Sequence, residues 1–202
     1  MEDTGAQRYC LRMNQMHQWL CSSRGWARSV ASDYLPWALE GVTLGDAALE
    51  VGPGYGATTR VLVERTSSLT ALELDPKLAA HLEARLGARV KVVHGDGTQM
   101  PFEPHSFTAV ACFTMLHHIP SRALQDQLFR EAFRVLRPGG TFAGADSVTS
   151  LGFRLLHWRD TMVIVDPTTV SARLADAGFS DVAIAVLPGK AFRFRARKAA
   201  SR

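Results

Sequence analysis

Leu49-Glu50-Val51-Gly52-Pro53-Gly54-Tyr55-Gly56 decides the fold, because it joins a strand-like run to a helix through a glycine-rich turn. Ala47–Val51 is short, apolar and bounded by turn residues, which predicts a buried strand. A helix is predicted from about Ala57 to Arg65. Glycines in such a turn let the backbone bend sharply and bring it closer to a ligand than any side chain would allow. The start of the next helix then offers free N–H groups and its positive dipole end to an anionic group.

The same alternation continues outward. Leu69–Leu74 reads as a second strand, and Asp75-Pro76 opens a helix with Asp as N-cap and Pro at the first helical position, closed by Gly87. Val90–His94 and Phe107–Phe113 are the next strands. A helix then runs from Ser121 to Leu136, stopping at Pro138-Gly139-Gly140, and Thr141–Asp146 forms the fifth strand. Asp166-Pro167 starts another helix that ends at Gly178. Val182–Leu187 and Ala191–Arg197 flank Pro188-Gly189 as a terminal hairpin. Upstream, Tyr9, Met13, Met16 and Leu20 mark an amphipathic helix over 9–22, and Trp26, Val30, Tyr34 and Trp37 mark another over about 26–40. Ser22-Ser23-Arg24-Gly25 separates the two. Repeated strand–helix alternation predicts an α/β fold, Rossmann-like, with a mostly parallel sheet covered by helices on both faces. The terminal hairpin makes one strand antiparallel.

Bulk properties exclude several classes. The 202 residues are 47% apolar and 21% charged, the balance of a soluble globular chain. No stretch reaches the roughly 18 apolar residues of a membrane span. Cys10, Cys21 and Cys112 form no Cys-x-x-Cys pair and predict neither a disulfide framework nor a zinc site, so a reduced, cytoplasmic protein without an export signal is expected. The net charge of +4 owes much to Arg193, Arg195, Arg197, Lys198 and Arg202. Their alternation reads as a solvated sheet face in preference to a nucleic-acid stripe.

Two acids follow the glycine loop in chain order. Glu73, 17 residues after Gly56, ends the second strand, where a carboxylate accepts ribose hydroxyls, and Leu74 offers an apolar surface to a base. Asp96, in His94-Gly95-Asp96-Gly97, closes the third strand, where its carboxylate can accept from an exocyclic amine. A glycine loop alone serves NAD, FAD or S-adenosylmethionine (SAM). Gly-Pro-Gly-Tyr-Gly-Ala departs from Gly-x-Gly-x-x-Gly at the third glycine, which leaves a nucleotide-dependent oxidoreductase as the weaker reading.

Glu50-Val51-Gly52-Pro53-Gly54-Tyr55-Gly56, Glu73, Gly95-Asp96-Gly97 with Met100-Pro101-Phe102, the Phe107–His118 segment and Leu136-Arg137-Pro138-Gly139-Gly140 together resemble the class I SAM-dependent methyltransferases. The resemblance is to the type 11 group, which includes quinone C-methyltransferases and sugar O-methyltransferases. It is close over 47–146 and looser to about 197. It implies a seven-stranded sheet and a single domain, divided into an N-terminal helical lid (1–42), a cofactor-binding core (43–146) and an acceptor-side segment with the last helix and hairpin (147–202). By the same resemblance, Gly52, Gly54 and Gly56 hold the methionine part of SAM, with Glu50 supporting the loop. Glu73 holds the ribose, Leu74 lies against adenine, Asp96 and the Gly97 backbone read adenine, and Phe113 lies under the methionine moiety. The product would be S-adenosyl-L-homocysteine.

His117 follows the fourth strand and Asp146 ends the fifth. The family's sheet order makes those strands neighbours, so the two are the candidate catalytic pair, an imidazole base with an orienting carboxylate. Such a base contributes about 10²–10⁴-fold where the acceptor must lose a proton. His118 is the lesser candidate. Trp19, Trp26 and Trp37 would belong to the lid. The segment 147–165, with Phe153, His157, Trp158, Arg159 and Asp160, would wall the acceptor pocket. No Asn-Pro-Pro-Tyr or Asp-Pro-Pro-Tyr follows the fourth strand and no Pro-Cys pair is present, which argues against DNA amines, glutamine side chains and cytosine C5 as targets. No carboxylate constellation predicts a metal. The expected acceptor is a small molecule, methylated at O, C or N, by a monomer or homodimer. A non-catalytic SAM-binding accessory protein and an RNA or protein methyltransferase are the alternatives.

Overall fold

The structure, a computed structural model, describes residues 14–149, 160 and 162–200. Its sheet contains β1 (Ala47–Val51), β2 (Ser68–Glu73), β3 (Lys91–His94), β4 (Phe107–Phe113), β5 (Leu136–Ser147), β6 (Ser180–Leu187) and β7 (Ala191–Arg197). The spatial order is β3-β2-β1-β4-β5-β7-β6. β1 to β5 pair in parallel, and β7 runs antiparallel between β5 and β6. The seven-stranded, mostly parallel sheet with one reversed strand is therefore present. Strand order reverses between β1 and β4, and ligands of open α/β sheets bind outside the carboxyl ends at such a point.

The helices are α1 (Gln15–Ser22), α2 (Arg24–Ser29), α3 (Leu35–Ala38), α4 (Thr59–Leu62), α5 (Pro76–Leu86), α6 (Arg122–Val135) and α7 (Pro167–Asp176). Both Asp-Pro starts cap as expected. Asp75 Oδ1 accepts from the N–H of Lys77 at 2.7 Å, and Asp166 Oδ1 from that of Thr168 at 2.9 Å. Each such cap is worth about 1 kcal/mol.

Alternation along the strands divides the core in two. Leu49, Val51, Val110, Cys112 and Phe142 face α6 and α7, whose Leu128, Phe129, Val170 and Leu174 are fully buried. The opposite face carries small residues, Ala48, Ala71, Ala109, Ala111 and Ala145, against Val30, Leu35, Ala38 and Leu39. Small side chains let the N-terminal helices lie close to the sheet.

Four expectations need correction. The predicted helix over 26–40 is α2, a π-helical turn at Val30–Tyr34 and α3 in succession. The expected four-residue break shrinks to Ser23, whose hydroxyl caps α2 by accepting from the Trp26 N–H at 3.1 Å. The helix after the glycine loop covers only Thr59–Leu62, with turns on either side. β5 begins at Leu136, since Leu136 pairs with Phe107 and Thr141 with Ala109. Pro138-Gly139-Gly140 thus bulges out of the strand instead of preceding it. The N-terminal part of the 9–22 helix, before residue 14, lies outside the described residues.

Candidate active site

A cavity of about 310 Å³ opens at the carboxyl ends of β1, β2 and β4 and beside the turn after β3. Among the expected residues, Gly52, Gly54, Glu73, Leu74, Asp96, Gly97, Phe113 and His117 line it. Glu50, Gly56 and Asp146 do not. The three loop glycines have different tasks. All take positive φ, +70° at Gly52, +55° at Gly54 and +77° at Gly56. A Cβ on Gly54 would meet nothing within 4 Å, so this backbone faces open hollow. A Cβ on Gly52 would come within 3.0 Å of Met115, and one on Gly56 within 2.9 Å of Leu82 Cδ2. Gly56 is glycine for packing against α5.

Glu73 binds the loop to its own strand. Its Oε2 accepts from the Gly54 N–H at 2.9 Å, and its Oε1 accepts from the Asp75 N–H at 2.9 Å. Burial raises its pKa, while those N–H groups pull it back. A carboxylate has about four acceptor positions, so both oxygens keep capacity for a ligand. Asp96 uses Oδ1 to accept from the Thr98 N–H at 2.7 Å and the Thr98 hydroxyl at 2.9 Å. Glu50 lies under the loop, 1% exposed. Its Oε1 accepts from the Thr58 hydroxyl, while Oε2 is buried without a partner. Burial pushes this carboxyl up to about 7, with the Thr58 and Thr59 hydroxyls opposing and Glu73 adding to the rise.

At the end of β4 the backbone turns abruptly. Thr114, β-branched, takes φ +52°, and its N–H donates to the Ala145 carbonyl at 2.9 Å. Strain of this kind costs on the order of 1–3 kcal/mol and gathers at functional sites. It folds Leu116–His118 back as a short 3₁₀ turn. There His117 Nδ1 lies 2.5 Å from Asp146 Oδ1, and the His117 N–H donates to Asp146 Oδ2 at 3.0 Å. Both residues are almost fully buried, 2% and 0% exposed. A carboxylate only accepts, so in the neutral ring the proton sits on Nδ1 and the lone pair on Nε2. Gln125 anchors the turn from α6, donating to Leu116 O at 3.1 Å and Val163 O at 2.9 Å.

The N-terminal elements complete the enclosure. His17, Leu20, Cys21, Trp26, Val30 and Tyr34 line the cavity. Trp19 is 71% exposed and Trp37 packs elsewhere, so only one of the three tryptophans expected in the lid faces the hollow. Sequence reasoning missed His17 and Tyr34 as site residues. His17 Nδ1 lies 2.9 Å from Asp160 Oδ2, and its ring stacks on His118 at 5.3 Å between centroids. Of the expected pocket wall, Phe153, His157, Trp158 and Arg159 lie outside the described residues.

The basic strand is a solvated face, with Arg195 and Arg197 exposed and Arg193 half-buried, and all three arginines also find acceptors within the fold. Arg193 donates to Trp37 O and Glu40 and lies over the Trp37 ring at 5.4 Å. Arg195 donates to Gly41 O at 2.8 Å, and Arg197 to Gly139 O at 2.9 Å. β7 thereby staples the N-terminal helices to the sheet.

No helix among the described residues is long and apolar enough to cross a membrane, and no group of three or more His, Cys, Asp or Glu there could hold a metal ion.

The chain is similar to known proteins in sequence and in fold. Residues 49–144 fit the family model described as a methyltransferase domain. The chain is 34% identical over 90 residues to ribosomal RNA small subunit methyltransferase A of Chlorobaculum parvum, covering 45% of this chain and 32% of that protein. It is 34% identical over 98 residues to a Mycolicibacterium smegmatis protein named "Probable S-adenosylmethionine-dependent methyltransferase", covering 48% and 37%. The matches thus span about a third of the curated relatives' own length. Among solved structures, a chain of the "Complex between the Haloferax volcanii Trm112 methyltransferase activator and the putative methyltransferase" superposes with TM-score 0.71 at 16% identity, over 92% of this chain and 98% of that one.

Proposed function

We propose, from the membership of residues 49–144 in the class I SAM-dependent methyltransferases of the type 11 group, that this chain transfers a methyl group from SAM to a small-molecule acceptor. The observation that carries the reading is the convergence of Gly54, Glu73, Asp96 and His117 on one cavity. The residues suit the donor. Gly54 offers bare backbone over open space, Glu73 and Asp96 supply carboxylates at the nucleoside end, and Glu50 has a buried oxygen without a partner below the loop. Gly52, Gly54 and Phe113 would hold the methionine part, Glu73 the ribose, and Leu74, Asp96 and Gly97 the adenine. Glu50 and Gly56 would act from behind the loop.

Bound there, SAM supplies an electrophilic methyl on a sulfonium that leaves as a neutral thioether. The chain's own part is orientation, exclusion of water and handling of one proton. Orientation of this kind can supply about 7–11 kcal/mol of the barrier. His117, aligned by Asp146, would receive the acceptor's proton. In this reading residues 1–42 close the site, 43–146 hold the donor and 147–202 wall the acceptor.

An RNA acceptor is the second reading, favoured by the ribosomal RNA methyltransferases among the relatives. The enclosed, largely apolar cavity and the internal engagement of Arg193, Arg195 and Arg197 support the small-molecule reading instead. Calorimetry with S-adenosylhomocysteine tests the premise: binding is expected, with Glu73→Ala weakening it at least tenfold. An intact chain that binds neither SAM nor its product would end the proposal. Steeply salt-dependent RNA binding would favour the second reading.

A further inference from the structure

The two edges of the sheet are not alike. β3 has four residues and carries exposed Lys91 and His94 at its ends, a short and charged strand of the kind that keeps an edge from pairing. β6, at the other edge, has eight. Its one charge, Asp181, sits near its start, where the pairing with β7 shifts between Ser180 and Ala183. From Ala183 to Leu187 the strand is regular, uncharged and apolar, Ala-Ile-Ala-Val-Leu. Among the described residues no backbone group pairs with its outer side. Ile184 and Val186 lie opposite Phe194 and Phe192 of β7, both buried in the core that faces α6 and α7, so Val186 belongs to the core side of the sheet. Yet Val186 is 51% exposed and Leu187 43%. The apolar row of the core runs out to the rim and stops there without cover.

We infer that β6 is the interface of a homodimer, pairing antiparallel with β6 of a second copy about a two-fold axis at Ala185. An axis normal to the sheet makes the new pair antiparallel and keeps the core face of one copy continuous with that of the other. Centred on Ala185, it sets Ile184 opposite Val186 of the second copy and Ala183 opposite Leu187. Each exposed branched side chain then covers a smaller or half-buried apolar one, and the core row continues across the axis. Neighbouring registers are worse. An axis at Ile184 sets Asp181 against Leu187, and one at Val186 runs Ile184 into Pro188, where the strand has ended. The charges agree with the Ala185 register. Asp181 before the paired stretch and Lys190 after it are both exposed, and neither has an ion-pair partner among the described residues. Antiparallel pairing brings Asp181 of one copy to the end where Lys190 of the other stands, once on each side of the axis. This self-complementarity in shape and charge selects a second copy of the chain over a foreign strand. No residue of β6 lines the cavity, so the inference is independent of the methyl-transfer reading.

The test is sedimentation equilibrium of the full chain over a wide range of concentration, where a monomer–dimer equilibrium is expected. Val186→Lys, which sets a charge against Ile184 at both symmetric contacts, should raise the dimer Kd about tenfold or more. Asp181→Lys and Lys190→Asp should each weaken the dimer about two- to fivefold, and the two together should restore it. Ala185→Cys should form a disulfide-linked dimer on oxidation, because residue 185 faces its own copy within the reach of a disulfide bond. Leu187→Cys, which faces Ala183, should not do so above the background of the unsubstituted chain. Hydrogen exchange of the outward amides among residues 183–187 should slow as concentration rises. A chain that stays monomeric at every concentration would overturn the proposal. So would a dimer that Val186→Lys leaves intact, or one whose β6 amides exchange as fast as the monomer's, since the contact would then lie elsewhere. Should Val186→Lys fail to fold, amide exchange in the unsubstituted chain and cross-linking of Ala185→Cys decide.

Discussion

Two alanine substitutions two residues apart should have opposite consequences. Gly54 and Gly56 both sit at positive φ, +55° and +77°, so a side chain at either costs about 1–2 kcal/mol of backbone strain. Beyond that shared cost they diverge. The Cβ of Gly54→Ala meets nothing within 4 Å, whereas that of Gly56→Ala arrives 2.9 Å from Leu82 Cδ2. Leu82 is 1% exposed in the core between α5 and the sheet, and overpacking such a site costs about 1–3 kcal/mol. For a chain of this size that is a further drop of about 2–12 °C in Tm for Gly56→Ala relative to Gly54→Ala. Donor binding should show the reverse order. The new methyl of Gly54→Ala stands in the hollow itself and should weaken S-adenosylhomocysteine by tenfold or more, while the folded fraction of Gly56→Ala should bind within a few fold of the parent. Thermal denaturation and calorimetry on the two purified variants suffice. Equal Tm values, or a Gly56→Ala protein that loses more affinity than Gly54→Ala, would refute the division of labour assigned to the loop.

Other expectations follow from the same contacts. Glu50 titrates near 7 in the fold through burial, against about 4.3 in an unfolded chain. The folded state therefore holds that proton more tightly, and stability of the donor-free protein should fall as pH rises from about 4.3 to about 7. Glu50→Gln should remove this slope and be the more stable protein at pH 8 by roughly 4 kcal/mol; parallel denaturation profiles from pH 4 to 8 would contradict it. Asp146→Asn, which alters the proton position on His117, and His117→Ala should each lower methyl transfer by about 10²–10⁴-fold in single-turnover assays, with S-adenosylhomocysteine affinity within about threefold of the parent. Gln125→Leu should cost about 1–3 kcal/mol in urea denaturation by removing the donor to Val163 O and the buried acceptor of Arg173, while Leu116 O keeps the Ile119 N–H. Arg193→Ala, which removes a mostly buried staple on Trp37 and Glu40, should cost about 1–2 kcal/mol in the same assay.

Much of the fold is local and was therefore legible. Strands of four to eight residues between turn signals, and helices with Asp-Pro starts, announce themselves over a few neighbours. Both caps form at the expected residues. The misreadings lie where distant contacts overrule a local cue. Pro138-Gly139-Gly140 looks like a stop before a strand, yet the Leu136–Phe107 pairing draws it into β5 as a bulge. Apolar spacing over 26–40 suits one α-helix, but its middle widens to a π turn, Val30–Tyr34. The alternating arginines of β7 do give a solvated face, and what the pattern leaves out is the acceptors of Arg193 and Arg195 at Trp37, Glu40 and Gly41, more than 150 residues away. Glu73, Asp96 and the glycine loop were visible because strand ends mark the rim of an α/β sheet. His17 was not, because its partner Asp160 is 143 residues distant and nothing near it in sequence announces the pairing.

Under the proposed function, the donor and acceptor halves of the site are built by different kinds of bond, and that difference bears on where specificity would reside. The donor half is tied together through backbone N–H groups. Gly54 and Asp75 donate to Glu73, Thr98 to Asp96, and Gly52 N–H to Leu72 O at 2.9 Å. Its shape follows from the sheet, which accords with the family model's match to residues 49–144. The acceptor half is held mainly by side chains reaching across long stretches of chain: His17 to Asp160, His117 to Asp146, Gln125 to Val163. Any one of these pairs can be replaced without disturbing β1 to β4. An acceptor pocket of that construction can be re-specified a pair at a time while the donor site stays fixed. The residues that choose the acceptor are then to be sought on α1, the turn after β4 and the segment around Asp160, and not in the glycine loop that reveals the family.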